Sequence, residues 1–252
     1  MRTERVEFTG AMDGQLSARL DLPEGTPLAY AIFAHCFTCN KDLNVTTQVS
    51  AGLTKHGIAV LRFDFTGLGQ SEGDFAATNF TTNMEDLLAA SDWLEQHHTA
   101  PSLLVGHSLG GAAVLAVAHE MPHIKAVATI GAPADPVHVT HNFAAAKHDI
   151  ETHGEAEVLL AGRKFRIRKQ FLLDVATHNL VDYIHELDCA ILVFHSPIDE
   201  VVGIENAARI FAAARHPKSF ISLDTADHLV TKRSDAEYVA HLLAVWALRY
   251  IE

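Results

Sequence analysis

The chain has 252 residues, of which 48% are hydrophobic and 20% charged, the composition of an ordinary folded globular protein. Lys and Arg number 19 against 31 Asp and Glu, and the formal net charge of -12 argues against nucleic acid as a partner because it would repel phosphates. No stretch approaches the roughly 18 consecutive apolar residues of a membrane span, so we expect no membrane insertion and one domain over residues 1–252 with a single core.

The first hundred residues predict a strand pair followed by buried strands that alternate with helices. The strand pair flanks a turn at Asp13-Gly14. Continuous apolar runs at 29–34 and 58–63 are typical of strands buried on both faces, and helical periodicity covers 46–56 and 83–96. Such alternation of strand and helix is the pattern of a parallel sheet covered by helices.

The second half of the chain continues this alternation but interrupts it once. Further strands and helices are predicted at 126–130, 190–194, 205–214, 219–223 and 234–251. From 134 to 187 the pattern breaks, and a structureless connection of that length would be unusual. We therefore predict an inserted cap at 134–187, with a hairpin around Ala161-Gly162 in which apolar and polar residues alternate. The predicted fold class is α/β, with a mostly parallel, doubly wound sheet.

The most informative motif is G-x-S-x-G at Gly106-His107-Ser108-Leu109-Gly110. It lies between a buried strand and an Ala-rich helix, the context of a nucleophile elbow, in which a sharp turn exposes a serine at a helix amino terminus. The motif alone also occurs in tight structural turns, and the flanking strand and helix favour the catalytic interpretation. Ser108 is the predicted nucleophile.

A serine nucleophile needs a base to take its proton and a carboxylate to orient that base. In this architecture the acid and then the base follow the serine along the chain. Asp199 and His228 lie in loops that follow two buried strands, and we predict them as acid and base. The rival carboxylates are Glu200 and Asp227, which are less favourable because Glu200 begins the next segment and Asp227 directly adjoins the histidine.

The negative charge that forms during acyl transfer needs backbone N–H donors. One is expected from Leu109, directly after the nucleophile, and the other from the loop that follows strand 29–34, where we predict Phe37.

These residues together resemble an α/β-hydrolase-fold serine hydrolase, over nearly the whole chain. His35-Cys36-Phe37-Thr38, Asp64–Ser71 and the hairpin-bearing cap are similar to the cinnamoyl and feruloyl esterase branch, although Gly is commoner where Cys36 stands. Cys36–Lys41 and His195–Glu200 resemble the hydrolase part of bifunctional proteins fused to an OsmC-like thiol peroxidase domain. The sequence contains no such second domain, so it is either a free-standing relative or a piece of a longer fusion.

Three other motifs suggest chemistry other than acyl transfer. His119–His123 matches the zincin motif H-E-x-x-H, but Pro122 would break the helix that such a site requires, so we expect no metal. Cys36 and Cys39 form C-x-x-C without a helix amino terminus to activate a thiol, which argues against a redox role. The basic run 163–169 is interpreted as a solvated hairpin face, and otherwise as an attractor of a carboxylated substrate or an acidic partner.

Cysteine usage bears on the compartment. The three cysteines are odd in number and predict no disulfide framework, and the amino terminus lacks the apolar segment of a signal peptide. A reducing cytoplasm is the expected location.

The predicted function is hydrolysis of a small carboxylic ester, of aryl or hydroxycinnamoyl type by the resemblance, through an acyl-enzyme and without a cofactor. The same parts serve an amidase, a thioesterase or an acyltransferase, and a non-catalytic module with a vestigial triad is the alternative from another class. A homodimer is among the assemblies that the sequence allows.

Overall fold

The computed structural model describes residues 1–160 and 162–251. The strands are β1 (Arg2–Thr9), β2 (Gln15–Leu22), β3 (Ala29–Ala34), β4 (Ile58–Phe63), β5 (Leu103–His107), β6 (Ala126–Ile130), β7 (Glu155–Leu160), β8 (Arg163–Arg168), β9 (Ala190–His195) and β10 (Lys218–Ser222). The α-helices are α1 (Asn44–Lys55), α2 (Phe80–His97), α3 (Leu109–Val117), α4 (Lys147–His153), α5 (Lys169–Val175), α6 (Leu180–Glu186), α7 (Glu205–Ala213) and α8 (Arg233–Ile251). Within these ranges, no helix combines the length and apolar content that crossing a bilayer requires.

Eight strands form one sheet in the order β1-β2-β4-β3-β5-β6-β9-β10. Strand β2 runs antiparallel to both β1 and β4, and the remaining neighbours are parallel. This arrangement confirms the predicted mostly parallel sheet and the antiparallel pair at its start. Because parallel strands end at the same edge, the loops after β3, β5, β9 and β10 meet there.

Helices cover both faces of the sheet. Side chains of successive strand residues point to opposite faces, so Ile32 and Leu104 pack in one core while Phe33 and Val105 pack in the other. Helices α1 and α8 close the second core, and α2 and α3 close the first. The central strands are therefore buried on both faces, as their continuous apolar runs predicted.

Most predicted elements lie within a few residues of the observed ones, and β3, β4 and β6 have the predicted bounds. Helix α2 begins earlier than predicted, at Phe80 rather than at 83. Asn79 caps this helix: its side chain accepts from the Thr82 N–H, and the Thr82 hydroxyl accepts from the Asn79 N–H. This reciprocal capping box extends the helix beyond the hydrophobic periodicity.

The 134–187 segment leaves the sheet after β6 and returns at β9, which pairs directly with β6. It contains the antiparallel pair β7–β8, as the hairpin prediction required, although Ala161 of the predicted turn lies outside the described residues. It also holds a 3₁₀ stretch at Pro136–Ala146 followed by α4, which the sequence analysis did not predict. Asp135, which accepts from the Val137 N–H at 2.9 Å, and Pro136 are the start signals that identify this stretch.

Candidate active site

Ser108 lies in the sharp turn between β5 and α3, with backbone angles φ 54° and ψ -124°. A non-glycine residue rarely adopts a positive φ, and such conformations concentrate at functional sites. The flanking glycines make the turn feasible. A Cβ on Gly106 would clash with the Gly110 carbonyl, and a Cβ on Gly110 would clash with the carbonyls of Ala34 and His35. The predicted elbow is therefore the geometry that the structure has.

The structure brings Ser108, His228 and Asp199 into one hydrogen-bonded chain. His228 Nε2 lies 2.9 Å from Ser108 Oγ, and His228 Nδ1 lies 2.8 Å from Asp199 Oδ2. Since a carboxylate only accepts, the imidazole donates through Nδ1 and presents Nε2 as an acceptor for the serine hydroxyl. This is the tautomer that a general base needs.

The environment of Asp199 keeps its carboxylate ionised. Burial acts to raise the pKa of Asp199, but hydrogen bonds from His228 and from the Val202 and Val201 N–H groups outweigh it and hold the pKa below its usual value. Asp199 Oδ1 accepts from Val201 N at 2.9 Å and from Val202 N at 2.8 Å, which leaves Oδ2 for the imidazole. The two oxygens thus have separate tasks.

The rival carboxylates lie elsewhere. Asp227 accepts from the backbone N–H and the hydroxyl of Thr231, at 2.7 and 2.5 Å, and so braces its own loop. Glu200 is exposed to solvent. Neither contributes a hydrogen bond to His228 within the part of the chain that the structure describes.

One residue at this site went unpredicted. Gly131 directly follows β6, has φ +57°, and lies against the acid–base pair. A Cβ there would come within 3.3 Å of Asp199 Oδ2 and 3.4 Å of His228 Nδ1. A glycine directly after a buried strand at this edge of the sheet is the sequence signal that could have identified it.

The predicted oxyanion donors belong to two segments in contact. His35, Cys36 and Phe37 line one apolar pocket together with Leu109 and Gly110. Within the described residues, neither the Phe37 nor the Leu109 N–H donates to a backbone carbonyl.

The loop that carries Phe37 contains a disulfide between Cys36 and Cys39, whose Cα atoms are 5.3 Å apart. The prediction that the cysteines form no disulfide is therefore wrong for this pair. The chain reverses here, with Cys39 N donating to Cys36 O at 3.1 Å and Thr38 at φ +62°, which brings the two side chains together. Cys189 is a buried free thiol, and burial raises its pKa to about 11.

A buried ion pair anchors the far end of this loop, and the sequence analysis did not identify it. Asp64, directly after β4, accepts from the Lys41 N–H at 2.6 Å and from Lys41 Nζ at 2.5 Å. Its Oδ2 also accepts from Gln70 N at 2.9 Å. Because Lys41 and Asp64 are both almost fully buried, removal of either would leave an uncompensated charge in the interior.

The zincin-like motif does not form a continuous helix. Helix α3 ends at Val117, and His119 lies in a 3₁₀ turn, where it stacks on Tyr183 with 5.4 Å between ring centroids. His123 instead lies 3.8 Å from a carboxylate oxygen of Glu95. The two histidines therefore face different neighbours.

The basic run of β8 is largely paired with acidic side chains. Lys164 lies 2.7 Å from Glu157, and Arg166 lies 3.2 Å from Glu155. Ile167 is buried beneath the hairpin, as the structural interpretation of this run required. This pairing weakens the case for an anion-attracting surface.

Five phenylalanines join the 134–187 segment to the core, and we call them the phenylalanine cluster: Phe37, Phe75, Phe143, Phe165 and Phe171. Phe37 is central, with ring centroids 5.6 Å from Phe75, 6.4 Å from Phe143 and 5.5 Å from Phe171. The side chain of a predicted oxyanion residue thus packs against the inserted segment.

Comparison with known proteins agrees with this geometry. The family model described as serine aminopeptidase, S33, matches residues 31–150. The solved esterase domain from a Rhodothermus marinus protein is 52% identical, with a TM-score of 0.82 and 100% of each chain covered. Est1E from Butyrivibrio proteoclasticus, solved with ferulic acid bound, has a TM-score of 0.83 at 21% identity, with 98% of this chain and 99% of that chain covered.

A curated relative is the mouse mitochondrial palmitoyl-protein thioesterase ABHD10, 29% identical over 71% of this chain and 62% of its own length. The sheet order, the elbow and the full-length similarity define an α/β-hydrolase. The chain belongs to the α/β-hydrolase family, and it is a hydrolase.

Proposed function

We propose that this hydrolase is a serine esterase that cleaves carboxylic esters of small molecules through an acyl-enzyme. The observation that carries the proposal is the chain of hydrogen bonds from Ser108 Oγ to His228 Nε2, 2.9 Å, and from His228 Nδ1 to Asp199 Oδ2, 2.8 Å. Acyl transfer uses these three groups together: the serine as nucleophile, the imidazole as its base, and the buried carboxylate that orients the imidazole.

In the proposed mechanism, Ser108 Oγ attacks the ester carbonyl carbon while His228 Nε2 takes the hydroxyl proton. Asp199 stays ionised and stabilises the imidazolium. The N–H groups of Phe37 and Leu109 donate to the oxygen that becomes negative. When the tetrahedral intermediate collapses, His228 gives its proton to the departing alcohol.

The acyl-enzyme is then hydrolysed by the same groups. His228 Nε2 takes a proton from a water molecule, whose oxygen attacks the acyl carbonyl carbon. The second tetrahedral intermediate expels Ser108 Oγ, which recovers its proton from His228. No step requires a metal or an organic cofactor.

The phenylalanine cluster supports an aromatic or compact apolar acyl group, including the hydroxycinnamoyl type. Phe37, Phe75 and Phe171 line the apolar pocket that Leu109 also borders, and this pocket has a volume of only about 10 Å³, so these side chains must move apart to admit an acyl group. We further propose that the 134–187 segment acts as a cap, because Phe143 and Phe171 of that segment pack on Phe37. A ring of the substrate would there meet aromatic faces and edges.

A thioesterase acting on long acyl chains is the second candidate. Ile198, Val201 and Leu229 are 57%, 44% and 39% exposed although each lies within two residues of Asp199 or His228 in sequence. Such apolar side chains suit an extended alkyl group, and the relative named palmitoyl-protein thioesterase points the same way.

One experiment tests both the activity and its class. Wild type and Ser108→Ala are exposed to a fluorophosphonate probe and assayed with p-nitrophenyl esters of increasing acyl length, methyl hydroxycinnamates and palmitoyl thioesters. We expect labelling of wild type alone and the highest kcat/KM on aromatic or short acyl esters. Preference for the palmitoyl thioester would support the second candidate, and turnover without a reactive serine would refute the mechanism.

A further inference from the structure

Two buried histidines outside the hydrogen-bonded triad are the last residues of their strands. His107 ends β5, directly before Ser108, and His195 ends β9, four residues before Asp199. Both are fully buried, with 0% of their surface exposed. Burying a ring that carries two polar nitrogens costs free energy unless those nitrogens form hydrogen bonds.

Each histidine holds the loop of one triad member. His107 Nε2 lies 2.7 Å from the carbonyl oxygen of His228, and His195 Nε2 lies 2.7 Å from the carbonyl oxygen of Val202. A carbonyl oxygen only accepts, so both rings carry their proton on Nε2. The N–H of Val202 in turn donates to Asp199 Oδ1 at 2.8 Å.

The other nitrogen of each ring is left without a partner. Nδ1 of His107 and Nδ1 of His195 are buried and accept no hydrogen bond from the residues that the structure describes. Burial, with the nearby His228, lowers the pKa of His107 to about 3, so the ring is neutral. A leucine of similar size would avoid the unpaired nitrogen. The Nε2–H bond is therefore the feature that sets histidine apart at these positions.

We infer that His107 and His195 are positioning residues that tie the base loop and the acid loop to the sheet through their Nε2–H groups. His107 fixes the peptide of the residue that carries the imidazole, and His195 fixes the turn whose N–H orients Asp199. This inference rests on the proposed triad and deepens it.

The test for His107 compares variants that keep or lose the donor. The amide of His107→Gln can donate where Nε2 does, whereas His107→Leu and His107→Asn cannot reach the His228 carbonyl. We expect His107→Gln to keep kcat near the wild-type value, and the other two to lose about tenfold or more with little change in KM. Thr129→Val is the matched control, because Thr129 Oγ1 is also buried and unpartnered within the described residues, on the neighbouring strand β6.

His195 is tested through its dependence on Asp199. His195→Leu should lower kcat in the wild-type background but add little to the loss caused by Asp199→Asn, since both changes act on the same carboxylate. Equal kcat in the Leu, Asn and Gln variants of His107, or a full additional loss in the double variant, would overturn the inference. If His107→Leu does not fold, the Asn and Gln variants decide. Wild-type turnover by Ser108→Ala would instead refute the proposed triad itself.

The disulfide independently carries a second inference. It spans Cys36 and Cys39, on either side of the predicted oxyanion residue Phe37. Cys36 is 4% exposed, whereas Cys39 is partly exposed. Arg163 of the hairpin donates to the Thr38 carbonyl within this loop. The turn at 36–39 thus contains the predicted oxyanion donor Phe37, a contact with the hairpin through Arg163, and a reducible disulfide.

We propose that Cys36–Cys39 is a thiol–disulfide exchange site that controls the Phe37 N–H. The co-substrate is a dithiol: its thiolate attacks Cys39 Sγ, Cys36 leaves as a thiolate and takes up a proton, and the second thiol of the reductant releases Cys39. The protein gains two thiols and the dithiol becomes a disulfide. Without the crosslink the turn loses a constraint on the donor.

The experiment measures kcat on a p-nitrophenyl ester before and after dithiothreitol, with thiols counted in denaturant. We expect the count to rise from one to three, given three cysteines, as kcat falls severalfold and recovers on reoxidation. The Cys36→Ser/Cys39→Ser variant should have the low kcat in both conditions, and Cys189→Ser should behave like wild type. Unchanged kcat at three thiols, or three thiols that mild oxidation cannot pair, would overturn the proposal, whereas inactivity in both states would refute the esterase function.

Discussion

His228 Nε2 lies 2.9 Å from Ser108 Oγ, although 120 residues separate the two along the chain. The contact exists because β5 and β10 end at the same edge of the sheet, so that the elbow after one strand meets the loop after the other. Base and nucleophile are thus brought together by sheet topology.

Ser108→Ala should lower kcat by at least about a thousandfold and leave the fold intact, since only one oxygen is removed. Steady-state assay and circular dichroism check this. Ser102→Ala is the matched control, because its hydroxyl is buried without a described partner at the other end of β5, and its kcat should match wild type. Ester turnover by pure Ser108→Ala at the wild-type rate would contradict a serine nucleophile.

Asp199→Asn should lower kcat by up to about ten-thousandfold with a modest change in KM, because the amide keeps the shape but disturbs the imidazole tautomer. Asp227→Asn and Glu200→Gln should cost far less, since Asp227 braces Thr231 and Glu200 is exposed. Parallel kinetics of the three variants provide the measurement. If Asp227→Asn is the crippling change, the acid has been assigned to the wrong residue.

Acid should destabilise wild type more than Asp199→Asn. Burial opposes ionisation of Asp199, but the hydrogen bonds to it, that of His228 first, leave its pKa below the usual value in the folded state. The carboxylate therefore contributes stability above pH about 4, and this contribution is lost as pH falls through the lower folded-state pKa. Urea unfolding at a series of pH values should show a shallower acid decline for Asp199→Asn, with Glu200→Gln following wild type. Parallel declines in all three proteins would rule out this linkage.

Chelators should leave activity unchanged, because the zincin-like segment ends its helix before His119 and the two histidines face different neighbours. His119→Ala should cost about 1 kcal/mol of stability through its lost hydrogen bond to Ala116 O, without affecting kcat. Assays after EDTA dialysis and thermal melts test this, with His123→Ala as a second variant. Activity lost in EDTA and restored by Zn²⁺ would bring back the metal hypothesis.

Phe171→Ala should shift acyl selectivity towards bulkier groups, by about tenfold in the ratio of kcat/KM for a bulky and an acetyl ester. The change enlarges the pocket beside Phe37 and costs about 3–5 kcal/mol of stability. Leu173→Ala on the same helix is the control, because Leu173 is 61% exposed. An unchanged ratio in folded Phe171→Ala would separate the cap from the acyl pocket.

Local patterns were sufficient for the order of the elements and for the elbow. A continuous apolar run such as 29–34 can be satisfied only by burial on both faces, and the glycines around Ser108 are needed by the turn itself. The order serine, acid, base is the one expected of this architecture, and Asp199 and His228 follow buried strands in that order. These features depend on residues that are neighbours in sequence, so the sequence alone is enough to predict them.

Other features required the folded chain. The sequence favours Asp199 as the acid over its rivals Glu200 and Asp227, but only the packing of the strand ends brings Asp199 Oδ2 to the imidazole. The pairing of Cys36 with Cys39 depends on a reversal at Thr38 that composition does not reveal. The contacts of His107 and His195 join residues through carbonyl oxygens, which every residue carries, so no sequence pattern marks them. Sequence by itself determined which groups are available for chemistry, and tertiary structure decided which of them meet, because distance and direction across the sheet edge are set by strand order and loop packing.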